Sequence, residues 1–235
     1  MSAAPRRALD DLLRVARALG PLRDRVVFIG GAIAPLLQQQ PPFAQARATS
    51  DVDAVLATTS YQRMHEIGVS LRQAGFREDP SGRRHMYRWI SPDGIPFDLV
   101  PAGEHLGGSG SSWDTVAITT ALTAELAPGL AIRHASAPAF LALKWAAHED
   151  RGQTDPLTSH DLEDILALLA SRPGLAGEVA AAPTELREFV RARAGSLLSD
   201  PDLRFLLAAH LNNARDPAHT TGVVLRALEE IARPE

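Results

Sequence analysis

The pattern of apolar residues changes near residue 137, and this change limits the possible fold more than any other feature. Before it, short runs of β-branched and aromatic residues, such as Val26–Ile29, alternate with segments of helical periodicity. From Ala137 onward, the apolar residues recur at helical spacing. We therefore predict an α+β fold, with a mixed sheet and flanking helices in a lobe over residues 1–136 and an all-helical lobe over 137–235.

Local signals set the expected elements of each lobe. In the first lobe, we predict helices over 8–19, 32–40 and 60–74 and strands over 26–29, 49–56, 85–90, 95–100 and 130–134. Ser60 is a candidate helix cap, and a Pro-Asp-Gly turn at 92–94 predicts a hairpin. In the second lobe, we predict helices over 138–148, 159–170, 185–194, 203–212 and 222–232.

Two carboxylates, Asp51 and Asp53, stand one residue apart in an apolar context. Side chains alternate along a β-strand, so both are expected on one face. Paired carboxylate oxygens of this kind hold Mg²⁺ against substrate phosphates. An isolated Asp-x-Asp is about as often an ordinary loop or strand end as a metal site, so the metal interpretation of this pair depends on its neighbours in the sequence.

Those neighbours are a glycine pair upstream and a third acid downstream. Gly30-Gly31 follows a predicted strand and precedes a predicted helix, where bare backbone N–H groups can bind phosphate, although such a pair is often only a tight turn. Asp98 lies on the second arm of the predicted hairpin. We expect Asp51, Asp53 and Asp98 to bind two Mg²⁺ ions, with Asp98 also helping to deprotonate an attacking hydroxyl.

A second group of polar residues lies in the helical lobe. Lys144 stands mid-helix in an apolar stretch, and Asp161 and Asp164 are three apart at the start of the next helix. A half-buried lysine there needs an anion, either a substrate phosphate or Asp161; the alternative is a structural salt bridge between helices. His148, Glu149 and Asp150 are predicted to form a solvated helix end.

Composition excludes several classes of protein. The chain has no cysteine, which rules out disulfides, thiolate metal sites and a cysteine nucleophile, and its histidines lack zinc-ligand spacing. The net charge of −4 gives no general polyanion signature, so nucleic-acid binding would need a local patch such as Arg83, Arg84 and Arg88. No signal peptide or membrane span is predicted, so the expected location is cytoplasmic, with no membrane partner.

The order of these motifs resembles the nucleotidyltransferase superfamily and, within it, the AbiEii/AbiGii-type toxins of abortive-infection and toxin–antitoxin systems. The similarity runs from Val26 to Leu169. The matching pieces are Gly30-Gly31, Arg47-x-Thr49-x-Asp51-x-Asp53, Asp98 in Phe-Asp-Leu-Val, Lys144 with Arg151, and Asp161-Leu-Glu-Asp164-Ile. The chain departs from the family pattern at Gly31, where many members have serine, and at His160, where many have lysine.

The resemblance implies a polymerase-β-like core and an enzyme that uses an NTP with Mg²⁺ or Mn²⁺. It implies that the carboxylates bind metal and that Lys144 and Asp161 are catalytic residues that help to hold the triphosphate. The remaining nucleotide-binding positions that it suggests are Gly30, Gly31, Thr49, Ser50 and Arg151. Some relatives transfer nucleotides to tRNA 3′ ends and are neutralised by an antitoxin, so tRNA and a cognate antitoxin are candidate partners.

The predicted function is transfer of NMP from an NTP to a hydroxyl acceptor. The first alternative is an antibiotic-modifying nucleotidyltransferase, which uses the same metal chemistry on a small acceptor. The second is a non-catalytic nucleotide-binding module that has kept the fold. Three clustered acids oppose the second alternative, because holding them together without a metal costs stability.

Overall fold

The computed structural model describes residues 3–39, 49–58, 60–79, 87–102, 111–151 and 155–233, without the side chains of residues 3–6 and 151. Within these ranges, the strands are β1 (Val26–Ile29), β2 (Val52–Leu56), β3 (Arg77–Glu78), β4 (Arg88–Ile90), β5 (Pro96–Pro101), β6 (Leu122–Ala127) and β7 (Leu130–His134). They form one mixed sheet of seven strands in the order β3-β4-β5-β2-β1-β7-β6.

The centre of this sheet combines both strand directions. Strand β2 pairs antiparallel with β1 and parallel with β5, and β5 pairs antiparallel with β4. The register sets Asp53 on β2 beside Asp98 on β5, and Asp98 in turn beside Arg88 on β4. Three charged residues therefore stand in one row across three adjacent strands.

The described helices are α1 (Ala3–Leu19), α2 (Ala34–Leu37), α3 (Tyr61–Gln73), α4 (Trp113–Thr119), α5 (Ala137–Arg151), α6 (His160–Ser171), α7 (Leu175–Ala180), α8 (Thr184–Leu198), α9 (Leu203–Leu211) and α10 (Pro217–Ala232). Helix α3 begins as predicted, because the Ser60 hydroxyl accepts the backbone N–H of Arg63 at 3.5 Å. No described helix has the length and apolar character needed to cross a bilayer.

Contacts between residues divide the chain into two units. One comprises Ala3–Pro35 and Ala48–Ser136, and contains the sheet. Its core includes the fully buried Phe28 and Phe97, which belong to β1 and β5. The chain therefore buries large aromatic side chains close to the row of charged residues.

The other unit consists mainly of Leu36–Arg47 and Ala137–Glu235. Helix α10 packs against α6, α7, α8 and α9, and its Val224 and Leu228 are fully buried. Residues after β1 join this unit through hydrogen bonds of their own backbone, since Gln39 N donates to Ser171 O and the Arg172 guanidinium donates to Leu37 O.

The predicted α+β class is confirmed, and several boundaries differ. The helix expected over 32–40 is a short 3₁₀ helix, Gly31–Ile33, followed by the single turn α2. Strand β2 begins at Val52, so Asp51 precedes the strand and is not part of it. Strand β4 begins at Arg88, and residue 40 and residues 80–86, with Arg83 and Arg84, lie outside the described ranges.

Candidate metal centre

The structure brings the three predicted carboxylates together. Asp51, Asp53 and Asp98 each offer an oxygen, and these oxygens lie within 4.8 Å of one another. Asp53 and Asp98 are aligned by the parallel pairing of β2 and β5, and Asp51 joins them from the residue before β2 begins. Strand pairing, which links distant parts of the chain, therefore creates the cluster.

The first glycine of the pair, Gly30, leaves space at this cluster. Gly30 has φ 71° and ψ −167°, a backbone region that is essentially restricted to glycine. A Cβ added there would lie 2.0 Å from Asp53 Oδ2, far inside van der Waals contact. The carboxylate of Asp53 thus occupies the volume that a side chain at position 30 would fill.

Thr49 and Ser50 precede the acidic pair and differ in their contacts. The Thr49 hydroxyl lies 3.2 Å from the carbonyl oxygen of Asp51 and 3.3 Å from Asp51 Oδ1, and can donate to either. Ser50 is exposed. Thr49 therefore helps to orient Asp51, and the nucleotide-binding role of both residues stays a prediction.

An arginine lies against the carboxylates. Arg88 Nε donates to Asp98 Oδ1 at 2.7 Å, and its Nη2 donates to Asp98 Oδ2 at 2.6 Å and to Asp51 Oδ2 at 3.0 Å. Hydrogen bonding to Asp98, which outweighs the effect of burial, raises the pKa of Arg88 above its usual value, and the charge of Asp51 adds to this. From the sequence, Arg88 was only part of a candidate basic patch; the cross-strand register with Asp98 was the missing signal.

The donor set fits a hard divalent cation. Three carboxylates supply oxygen ligands and no sulfur or imidazole, which is the chemistry that Mg²⁺ and Mn²⁺ prefer. The absence of a side chain at Gly30 leaves room for the carboxylate of Asp53 in this cluster. Arg88 compensates part of the negative charge of the cluster in this structure.

The second predicted group forms a partly buried ion-pair cluster between α5 and α6. Lys144 Nζ lies 3.1 Å from Asp161 Oδ1 and 2.5 Å from Asp164 Oδ2, and all three side chains are less than 15% exposed. Burial alone would lower the pKa of Lys144, but the charges of Asp164 and Asp161 raise it above its usual value. Both acids thus form ion pairs with Lys144. The side chain of Arg151 lies outside the described residues.

The predicted solvated helix end at 148–150 is wrong for two of its three residues. His148 Nδ1 lies 2.7 Å from the hydroxyl of Ser159, which also caps α6 by accepting the N–H of Leu162. Burial lowers the pKa of His148, against the opposing charges of Asp161 and Glu149. Glu149 forms an ion pair with Arg193, so this end of α5 is a packed contact between helices.

Two solved structures resemble this fold across most of its length. The crystal structure of an antigenic nucleotidyltransferase-like protein from Paracoccidioides brasiliensis is 19% identical with a TM-score of 0.50, covering 85% of this chain and 92% of that one. The fold is nucleotidyltransferase-like. The crystal structure of JHP933 from Helicobacter pylori is 12% identical, also with a TM-score of 0.50, and covers 96% of this chain and 92% of that one.

The sequence comparisons are negative. No protein-family model matches the chain, and no curated protein sequence matches it. The structural likeness therefore shows a nucleotidyltransferase-like fold, and the predicted membership of the AbiEii/AbiGii-type toxin family stays a prediction.

Proposed function

We propose that this protein is a metal-dependent nucleotidyltransferase that moves NMP from an NTP to a hydroxyl acceptor and releases pyrophosphate. The observation that carries the proposal is the convergence of Asp51, Asp53 and Asp98, whose oxygens lie within 4.8 Å of one another. The nucleotidyltransferase-like fold supports it, because two of these acids, Asp53 and Asp98, lie on adjacent central strands.

In this proposal, the carboxylates of Asp51, Asp53 and Asp98 hold Mg²⁺ or Mn²⁺. When bound, such a metal neutralises charge on the triphosphate and on the attacking oxygen. Asp98 accepts the proton of the acceptor hydroxyl, whose oxygen forms a bond to the α-phosphorus while the bond to the pyrophosphate oxygen breaks. Gly30 keeps Asp53 in place by leaving room for its carboxylate.

Further residues are proposed to contact the nucleotide. Lys144 is the proposed cation for the triphosphate, and Asp161 keeps it charged and oriented through the ion pair at 3.1 Å. Thr49, Ser50, Gly31 and Arg151 are further proposed contacts, carried by the resemblance to the toxin family.

We propose a tRNA 3′ end as the acceptor and a cognate antitoxin as the regulatory partner. This choice is supported by the resemblance of the Arg-x-Thr-x-Asp-x-Asp and Lys…Asp-Leu-x-Asp motifs to the AbiEii/AbiGii-type toxins. A protein hydroxyl and an aminoglycoside or lincosamide hydroxyl are the competing acceptors.

A labelling experiment tests the proposal. The protein is incubated with each α-³²P-labelled NTP, with Mg²⁺ or Mn²⁺, and with tRNA, protein or antibiotic acceptors in separate reactions. Label in RNA is the expected result, and label in the antibiotic would support the drug-modifying alternative. The Asp53→Ala variant is the matched inactive control, and equal labelling by this variant would end the proposal.

One observation favours a second candidate, a non-catalytic nucleotide-binding module. Arg88 provides charge compensation for Asp98 and Asp51 without a metal. The clustered acids therefore do not by themselves require a metal, because Arg88 already compensates part of their charge. This candidate predicts nucleotide binding without metal-dependent turnover for any NTP.

A further inference from the structure

The guanidinium of Arg88 bonds to two of the three carboxylates that would hold the metal, those of Asp98 and Asp51. Its fork binds both oxygens of Asp98, at 2.7 and 2.6 Å, and its Nη2 also reaches Asp51 Oδ2 at 3.0 Å. Bidentate arginine–carboxylate pairs are among the strongest hydrogen bonds in proteins. A metal ion that binds Asp98 and Asp51 must therefore compete with a well-made interaction.

The backbone positions this arginine but leaves its side chain able to move. Arg88 is the register partner of Asp98 across β4 and β5, so its position is fixed by main-chain pairing. Its side chain is 30% exposed, compared with 11% for that of Asp98. The guanidinium can thus move towards solvent by rotating the side chain, while the more buried carboxylate stays in place.

We propose that Arg88 is a built-in counterion of the carboxylate cluster, and that a divalent metal binds only by displacing its guanidinium from Asp98 and Asp51. This inference rests on the proposed function, because it takes the three carboxylates as the metal ligands. Arg88 then stabilises the metal-free protein and weakens its affinity for metal.

A different role for Arg88 would change the metal affinity in the opposite direction when Arg88 is removed. If Arg88 served only to orient Asp98 and Asp51 for the metal, removing it would let the carboxylates turn away and would weaken metal binding. A displaced counterion predicts the reverse, since the metal no longer competes with it. The sign of the change in affinity therefore decides between the two roles.

The test measures Mn²⁺ affinity by isothermal titration calorimetry in the full chain without nucleotide. Arg88→Met keeps much of the side-chain volume and removes the charge. We expect it to bind Mn²⁺ about tenfold more tightly or better, since charge-assisted hydrogen bonds contribute on that scale. The metal-free variant should melt at a lower temperature than the wild type, because the carboxylates then repel one another.

Two further variants secure the interpretation. Arg14→Met removes an arginine from a half-exposed pair with Asp93 outside the cluster, and should leave the Mn²⁺ affinity unchanged. Arg88→Lys keeps the positive charge and loses the bidentate hydrogen bonds of the guanidinium, so its Mn²⁺ affinity should lie between those of wild type and Arg88→Met. It also provides the comparison if circular dichroism shows that Arg88→Met does not fold.

The outcomes separate this inference from the proposed function. Equal or weaker Mn²⁺ binding by Arg88→Met, with clear binding by the wild type, overturns the counterion role and leaves the metal centre standing. Binding by neither protein overturns both. Binding by Arg88→Met alone supports the counterion role and favours the non-catalytic candidate. A gain in affinity that survives a second substitution, Asp53→Asn, overturns the inference because the metal is then elsewhere.

Discussion

Gly30 and Asp53 are mutually dependent, because the carboxylate of Asp53 fills the space in which a side chain on Gly30 would lie. The approach is 2.0 Å between the added Cβ and Asp53 Oδ2. We predict that Gly30→Ala loses metal binding and also destabilises the fold. Backbone strain costs about 1–3 kcal/mol and overpacking about 1–3 kcal/mol more. Chemical denaturation and Mn²⁺ titration measure the two effects.

Gly129 provides the control for this substitution. It also has a positive φ, +74°, but a Cβ there meets nothing within 4 Å. Gly129→Ala should therefore show the cost of positive φ without the clash, and should keep metal affinity. If Gly30→Ala and Gly129→Ala change stability and Mn²⁺ affinity equally, the contact between position 30 and Asp53 does not matter.

We predict that Asp53→Ala abolishes NTP turnover and leaves the fold intact. The removed charge repels Asp51 and Asp98, while the hydrogen bonds of Arg88 to those two acids remain available. Thermal melting without metal measures stability, and the labelling assay measures turnover. Retained turnover would contradict the role of Asp53 in the metal centre.

Lys144→Met is predicted to destabilise strongly the unit that contains helices α5 to α10. Asp161 and Asp164, about 13% and 14% exposed, would lose their shared cation. Breaking a buried ion pair from one side costs about 3–5 kcal/mol, which urea denaturation would measure. Glu78→Gln breaks an ion pair between half-exposed side chains and should change stability little.

The same cluster offers a rescue test. Adding Asp161→Asn and Asp164→Asn to Lys144→Met removes the uncompensated charges, so much of the lost stability should return. If the triple variant is no more stable than Lys144→Met, the loss arises from packing of the lysine stem and not from charge.

His148 is predicted to make stability depend on pH on the acid side of neutrality. Burial lowers its pKa, with Asp161 and Glu149 opposing and His210 adding to the shift. The unfolded chain therefore binds a proton at His148 more readily than the folded chain does. The stability that the neutral His148 allows is present above about pH 6.5, and the free energy of unfolding decreases as the pH falls below it. Urea denaturation from pH 8 to 5 should show a shallower decline for His148→Gln than for wild type. An unchanged slope would contradict the prediction.

The elements with strong local signals were predictable. The run Val26–Ile29 and the Ser60 cap each carry their own signal, and both were confirmed. Strand β6 was missed because its residues are mostly exposed or half-buried and alternate weakly, so its structure depends on pairing with β7. The short helix α7 begins after Gly174 and contains too few residues to show a periodicity.

The carboxylates of the candidate site were predictable, and their surroundings were not. The spacing of Asp51 and Asp53 and the position of Asp98 on a hairpin arm indicated the three carboxylates that the structure brings together. The role of Arg88 depends on the register that aligns it with Asp98, which no local pattern specifies. Likewise, the sequence did not show that Asp164, as well as Asp161, lies within ion-pair distance of Lys144.

The parallel pairing of β2 with β5 has a consequence for how this protein matures. Strands β3 and β4 and helix α3 lie between positions 53 and 98 in the chain, and parallel strands need such a long crossover. Contacts this distant in sequence form slowly, because a large loop must close first. During synthesis, Asp51 and Asp53 therefore emerge before Asp98, and the carboxylate cluster is incomplete until β5 has emerged. Activity of the proposed kind can begin only after β5 has joined the sheet.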